Sequence, residues 1–158
     1  MNDASETLFR VMHLNATYAA ALDDGRLEVW PEFFVEDCIY KITSAENVHD
    51  GNEAGIVYAD SRAMLADRVL ALRRANIYER QSYRHIVGTP LLLEGAGRDL
   101  ACETPFLVIR TMRDGRMDLF AAGKYCDRLR EQEGGLYFAE RMVVCDSSRF
   151  DTLLALPL

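Results

Sequence analysis

The sequence predicts an α+β fold: a cone-shaped, strongly curved antiparallel or mixed sheet with N-terminal helices packed on one face. Three observations carry this expectation. Apolar residues recur at helical spacing in two long segments before residue 80. After residue 80 the period switches to two. The last strands are joined by links of hairpin length, which suit antiparallel neighbours and are too short for parallel crossovers. Helices first and a strand meander last define the α+β class, and long strands twist, so the sheet should curl.

In chain order, residues 4–22 place Leu8, Val11, Met12, Tyr18, Ala19 and Leu22 on one helical stripe, with Asp3 or Ser5 as cap and Gly25 after the end. Residues 26–34 read as a short helical turn containing Pro31, with Trp30, Phe33 and Phe34 as an aromatic anchor. The run DCIYKIT (37–43) is rich in β-branched and aromatic residues and reads as a strand. Residues 44–58 carry turn formers, Asp50-Gly51-Asn52 among them, and read as a loop. Residues 60–75 form the second helix, capped by Asp60 or Ser61, with Met64, Leu65, Val69 and Leu72 as its apolar stripe.

Strands are expected at 82–93 and 101–112, followed by a hairpin turn at Arg113-Asp114-Gly115-Arg116. In 117–129, strict alternation puts Met117, Leu119, Ala121, Gly123, Tyr125 and Leu129 on one face, and Asp118, Lys124, Arg128 and Arg130 on the other. Gly134-Gly135 is the next turn, and 136–146 the last long strand. Two details point to a partner. Residues 104–112 are apolar on both faces, with Phe106, Val108 and Met112 on one and Leu107 and Ile109 on the other, whereas a half-solvated sheet alternates. Leu153, Leu154, Ala155, Leu156, Pro157 and Leu158 make an apolar ending that should dock, on its own domain or on a neighbour.

At 158 residues the chain is expected to be one domain, 1–158, able to bury about 70% of its unfolded surface. A formal charge of −7 argues against nucleic acid and against anionic membranes as partners. No run reaches the length of a membrane span. The four cysteines, Cys38, Cys102, Cys126 and Cys145, show no framework or metal spacing and read as reduced thiols of a cytoplasmic protein.

WPEFFVEDCIYKI (30–42), AGIVYADSRAMLADRVLALRRANIYE (54–79), YRHIVGTP (83–90) and VCDSSRFDTLLALPL (144–158) together resemble the small, or beta, subunits of aromatic-ring-hydroxylating (Rieske) dioxygenases. The resemblance spans nearly the whole chain and rests on the order and spacing of these runs. It implies a nuclear transport factor 2-like cone and an α3β3 oxygenase in which three small subunits pack around a threefold axis. The Rieske [2Fe-2S] cluster and mononuclear Fe(II) would belong to the partner large (alpha) subunit, and NAD(P)H electrons would arrive through a separate reductase. This chain would hold no cofactor or metal and have no activity of its own. The implied substrate is an aromatic carboxylate, terephthalate first, giving a cis-dihydrodiol. Salicylate 5-hydroxylase-like hydroxylation and a stand-alone dehydratase or isomerase of the same fold are the alternatives.

The residues agree with a metal-poor chain. A Rieske centre needs two cysteines and two histidines at close spacing, and His13, His49 and His85 lie far apart in sequence. His13 and His49 read as surface residues. His85 shares a strand face with Tyr83 and Val87. It is either a hydrogen-bonded or intersubunit histidine, which is favoured, or an acid–base group in the cone. A stand-alone enzyme would draw on Asp23, Tyr40, Tyr83 and His85. Asp23-Asp24 at a helix end reads as a solvated turn. Arg73-Arg74 with Glu79-Arg80 is a solvated face or a contact with the large subunit. The interface expectation falls on Arg84, His85, Phe106, Val108, Leu156 and Leu158.

Overall fold

The computed structural model describes residues 3–52, 55–75, 82–149 and 157–158. The expected element order is found. Helix α1 (Asp3–Asp23) is followed by a 3-10 segment (Leu27–Phe33) and strand β1 (Phe34–Ser44). Helix α3 (Arg62–Ala75) precedes strands β3 (Ser82–Val87), β4 (Leu91–Ala96), β5 (Asp99–Thr111), β6 (Met117–Gln132) and β7 (Gly135–Cys145). The stretch expected as a loop, 44–58, instead holds a one-turn helix α2 (Ala45–His49) and a short edge strand β2 (Val57–Ala59). Ser44 Oγ accepts the Asn47 N–H at 3.2 Å and caps α2. Helix α3 starts behind Ser61, whose Oγ accepts the Met64 N–H at 3.2 Å.

The strands form one sheet in the order β2-β1-β7-β6-β5-β3, with β4 also pairing β5. All pairs are antiparallel except β1–β7. The expected strand over 82–93 is split at Gly88-Thr89-Pro90 into β3 and β4, which pair successive halves of β5. The break is local chemistry: Pro90 cannot donate to a ladder, and a Cβ on Gly88 would lie 2.7 Å from the Pro105 ring.

Side chains line the inner face in rows set by the register. Leu100, Leu129, Phe138 and Phe34 make one row; Cys102, Asp127, Arg141 and Tyr40 the next; Thr104, Tyr125, Val143 and Ile42 a third. Helix α1 lies across these rows and buries Val11, Leu14, Tyr18 and Leu22 against them, with Trp30 and Leu27 of the 3-10 segment at one side. Helix α3 adds Leu65 and Val69, while Met64, expected in its stripe, is exposed. It is tied to the 3-10 segment by Arg73, which donates to Glu28 at 2.7 Å and to the Gly25 carbonyl at 2.6 Å. That bond holds the exposed Glu28 carboxyl at about 2.

Among the sheet's register shifts, two insert a single extra residue. Val108 faces Ala121 but Ile109 faces Leu119, so Phe120 is an extra residue in β6; Ala139 is likewise extra in β7. The first bulge corrects the expected face assignment. Alternation through Phe120 is lost, and Met117 and Leu119, expected beside Tyr125, lie on the outer face, 70% and 76% exposed.

Gly123 of β6 lies close against the β7 backbone: a Cβ there would lie 2.0 Å from the Val144 carbonyl oxygen. Gly123→Ala must push β7 away, and overpacking of this kind costs roughly 1–3 kcal/mol. Chemical denaturation should show a fall of at least about 1 kcal/mol; an unchanged midpoint would mean the strands have slack at this crossing.

Asp99 opens β5 and takes two hydrogen bonds from Arg130, at 2.9 and 3.1 Å. These bonds, with the charges of Arg128 and Arg98, hold its carboxyl below the ordinary value of 3.8. A depressed folded-state value stabilises the fold above pH 3.8 and is lost as pH falls through the lower folded value. Acid titration of Asp99→Asn should lack that arm, and superposition of its stability curve on the parent's below pH 4 would exclude the pairing as its source.

Candidate functional site

The interior between α1 and the sheet brings together polar groups that lie far apart in the sequence. The first set is centred on Arg141, which is fully buried. It sits opposite Asp127 in the β6–β7 register and donates to both carboxylate oxygens, at 2.9 and 2.7 Å. The same Nη2 that donates to Asp127 also donates to Asn15 Oδ1 of α1, at 2.6 Å. The rings of Tyr125, Phe138 and Tyr18 enclose the guanidinium at 3.8, 3.9 and 4.4 Å. Nη1 has no hydrogen-bond acceptor among the described residues, and the ring faces provide its negative surroundings instead. Burial raises the Asp127 carboxyl, while the charge and hydrogen bonds of Arg141 pull the other way. Sequence reading missed this set. Its one visible signal is that Asp127 shares the inward register of Tyr125 and Leu129.

The second set surrounds Leu158. Tyr18 Oη donates to the Leu158 carbonyl at 2.8 Å, and Tyr40 Oη lies 3.1 Å from that oxygen and 3.1 Å from the Leu158 N–H. Trp30 Nε1 donates to Tyr18 Oη at 3.1 Å. Burial raises the Tyr18 and Tyr40 hydroxyls above their ordinary value, so both remain protonated donors.

The third set is a pair. Asp23, the last residue of α1, accepts the His85 backbone N–H at 2.9 Å and meets His85 Nδ1 at 2.6 Å. Both side chains are almost wholly buried, at 3% and 2% exposure. This corrects the expected solvated turn at Asp23: a strand residue 62 positions away satisfies its carboxylate and shields it from water. Arg84 Nη1 lies 3.8 Å from the same carboxylate, with a side chain 69% exposed. Asp23 and His85 floor an open cleft of about 460 Å3 between α1 and β3. On its other side His85 borders a tight space of about 10 Å3, lined also by Leu22, Leu27, Tyr83, Phe120, Pro157 and Leu158.

The other expected site residues are placed as follows. Phe106 and Val108 are buried in the chain's own core, 5% and 0% exposed, and Phe106 stacks on Tyr125 rather than facing outward. Leu158 is likewise 2% exposed inside the cone. Leu156, Glu79 and Arg80 lie outside the described residues. Tyr83 packs edge-on against Phe120 at 5.1 Å. His13 and His49 are exposed, on α1 and at the end of α2. The cysteines are unpaired thiols, and burial pushes Cys102 and Cys145 up to about 12. Among the described residues, no three His, Cys, Asp or Glu side chains converge as a metal site would need. No helix among them is long and apolar enough to cross a membrane.

Comparison with known proteins decides the family. The family described as "Ring hydroxylating beta subunit" matches residues 17–152. The chain belongs to it. It is 47% identical over 149 residues to the beta 1 subunit of the terephthalate 1,2-dioxygenase terminal oxygenase component of Comamonas sp, covering 94% of this chain and 97% of that one. It is 37% identical to the anthranilate 1,2-dioxygenase small subunit of Burkholderia cepacia, over 100% of this chain and 98% of the relative. A crystal structure assigned as the beta subunit of an aromatic-ring-hydroxylating dioxygenase from Novosphingobium aromaticivorans superposes with a TM-score of 0.91 at 38% identity, over 99% and 100% of the two chains. The expected α+β cone of the nuclear transport factor 2 kind is therefore the fold of this beta subunit.

Proposed function

We propose that this beta subunit is a non-catalytic, single-domain scaffold of a cytoplasmic α3β3 oxygenase that cis-dihydroxylates an aromatic carboxylate, terephthalate first. The observation that carries the assembly is the outer sheet face. In register across β3, β5 and β6 lie Arg84, Ile109 and Leu119, then Ile86, Leu107 and Ala122. Ile86 is 51% exposed and Leu119 76%. Apolar side chains in adjacent rows on a solvated sheet mark a surface meant to be covered. A second copy of the subunit covers it around the threefold axis, and Arg84, at the rim, faces the large subunit. The substrate reading is supported by the 47% identity with the terephthalate dioxygenase subunit.

The Rieske cluster and mononuclear Fe(II) are held by the large subunit, with electrons from NAD(P)H through a separate reductase. The histidines of this chain do not fit either group: two are dispersed on the surface and the third is bonded to Asp23. Co-expression with a Rieske-type large chain tests the reading. The expected product is a mixed hexamer that converts terephthalate, with iron in the complex and none in the small subunit purified alone. Iron bound by the isolated small subunit, or a large chain fully active and assembled without it, would refute the scaffold role.

A further inference from the structure

Strand β3 is an edge of the sheet: it pairs β5 on one side and no strand on the other among the described residues. The register fixes which backbone groups face the open side. Gly88 N–H donates to the Pro105 carbonyl at 2.8 Å, so Gly88, Ile86 and Arg84 turn their backbone groups to β5. The alternate residues, His85 and Val87, turn theirs outward, and the His85 N–H is found there, on Asp23 at 2.9 Å. Asp23 thus caps the edge at His85. Beyond it the open cleft of about 460 Å3 separates α1 from the strand, with Met12, Ala16 and Ala20 on the helix wall and Val87 opposite. The His85 carbonyl and both backbone groups of Val87 face this gap. Arg84 stands at its rim, 69% exposed. Its ion-pair carboxylate, Asp23 at 3.8 Å, is already held by the backbone N–H and Nδ1 of His85.

We propose that this cleft receives an extended segment of the large subunit, which adds to β3 as a further antiparallel strand. The inference rests on the scaffold reading, which supplies the large subunit as partner. A strand edge selects extended backbone, because only a main chain answers its donors and acceptors in turn. Helix α1 closes the far side of the cleft, so a single chain fits where the edge of a second folded sheet would meet the helix. Arg84 selects charge: on a chain of −7, a cation at this rim favours a carboxylate from the partner. The register specifies the segment. Its first residue, opposite Val87, exchanges both hydrogen bonds with it. Its third donates to the His85 carbonyl but finds the His85 N–H taken by Asp23, so pairing stops there. Side chains alternate, so the first and third residues face α1 and must be small or aliphatic. The second lies beside Ile86, and the fourth brings its carboxylate to Arg84. Ile86 and Arg84 also belong to the outer rows, so the cleft continues the surface that assembly covers.

The test is amide hydrogen–deuterium exchange at single-residue resolution, on the small subunit alone and co-purified with the Rieske-type large chain. The Val87 N–H should exchange at least tenfold more slowly in the complex. Two variants check the cause. Val87→Pro removes that N–H and leaves the bonds to β5, which belong to Ile86 and Gly88; proline is tolerated at an outward-facing edge position. Ala16→Trp fills the cleft from the helix side. Each should raise dissociation of the large chain at least tenfold in sedimentation velocity, with the small subunit's circular dichroism unchanged. Equal Val87 exchange in the two states overturns the proposal and leaves the scaffold reading standing, because the complex has then formed without the edge. Val87 already protected in the isolated subunit overturns it too, because the edge is then covered without the large chain. Folded variants that assemble like the parent do the same. A small subunit that binds no large chain removes both readings. The exchange comparison uses the unaltered protein, so it decides the matter even where a variant misfolds.

Discussion

Asp127→Ala is expected to cost about 3–5 kcal/mol, the penalty for leaving a buried charge without its partner. Arg141 is fully buried, and the variant removes both acceptors of its two shortest charged contacts. Asn15 retains its hydrogen bond and the three rings their cation–π contacts, but neither neutralises a full charge in the cone. For a chain of this size the loss corresponds to a fall in Tm of roughly 10 °C. Removing both partners is a different perturbation. Asp127→Leu with Arg141→Met replaces the pair by apolar groups of similar bulk, and such replacements are often neutral or better. The double variant should therefore recover most of the loss, and the cycle closed by the single variants Asp127→Leu and Arg141→Met should report a coupling of at least about 2 kcal/mol. Thermal and chemical denaturation of the four proteins measure it. A single-variant loss under 1 kcal/mol would mean that the aromatic box alone holds the guanidinium.

How much of this was legible depends on range. The long elements announced themselves locally: the helical stripe from Leu8 to Leu22, the apolar, strand-like run over 101–112, the hairpin signal at Asp114-Gly115. Helix α2 and strand β2 did not, because five and three residues are too few to establish a period. The bulge at Phe120 was invisible for a related reason. A single inserted residue reverses the face of everything on one side of it, and composition does not mark where the insertion falls. The site failed differently. Asp23 is a charged residue at the end of a helix, which by itself reads as solvent-facing, and only folding brings His85 to it. Leu158 looked like a docking tail and does dock, but through its backbone to Tyr18 and Tyr40, a contact no side-chain pattern encodes. A strand apolar on both sides makes Phe106 and Val108 look partner-facing. The inward side belongs to this chain's core, and the outward side, Leu107 and Ile109, is the one left over.

That leftover face sets the second large expected effect. Leu119→Asp should leave the subunit's own stability within about 0.5 kcal/mol, because the side chain is 76% exposed and contributes little to the core. Assembly should respond in the opposite way. In the proposed hexamer Leu119 is buried beside Ile109 and near the copy across the threefold axis, so an aspartate there must be desolvated without a partner. Three equivalent positions carry the change at once. Dissociation of the mixed hexamer should rise at least tenfold, about 1.4 kcal/mol in all, and sedimentation velocity should show smaller species at concentrations where the parent is intact. Leu70→Asp is the control: Leu70 is 53% exposed on α3, away from the outer rows, and the same charge there should leave assembly unchanged. Equal assembly of Leu119→Asp and the parent would remove the outer face from the interface, and the apolar rows of β3, β5 and β6 would then need a different partner. Disruption by both variants would point to a general effect of added negative charge, on a chain already at −7, in place of a specific surface.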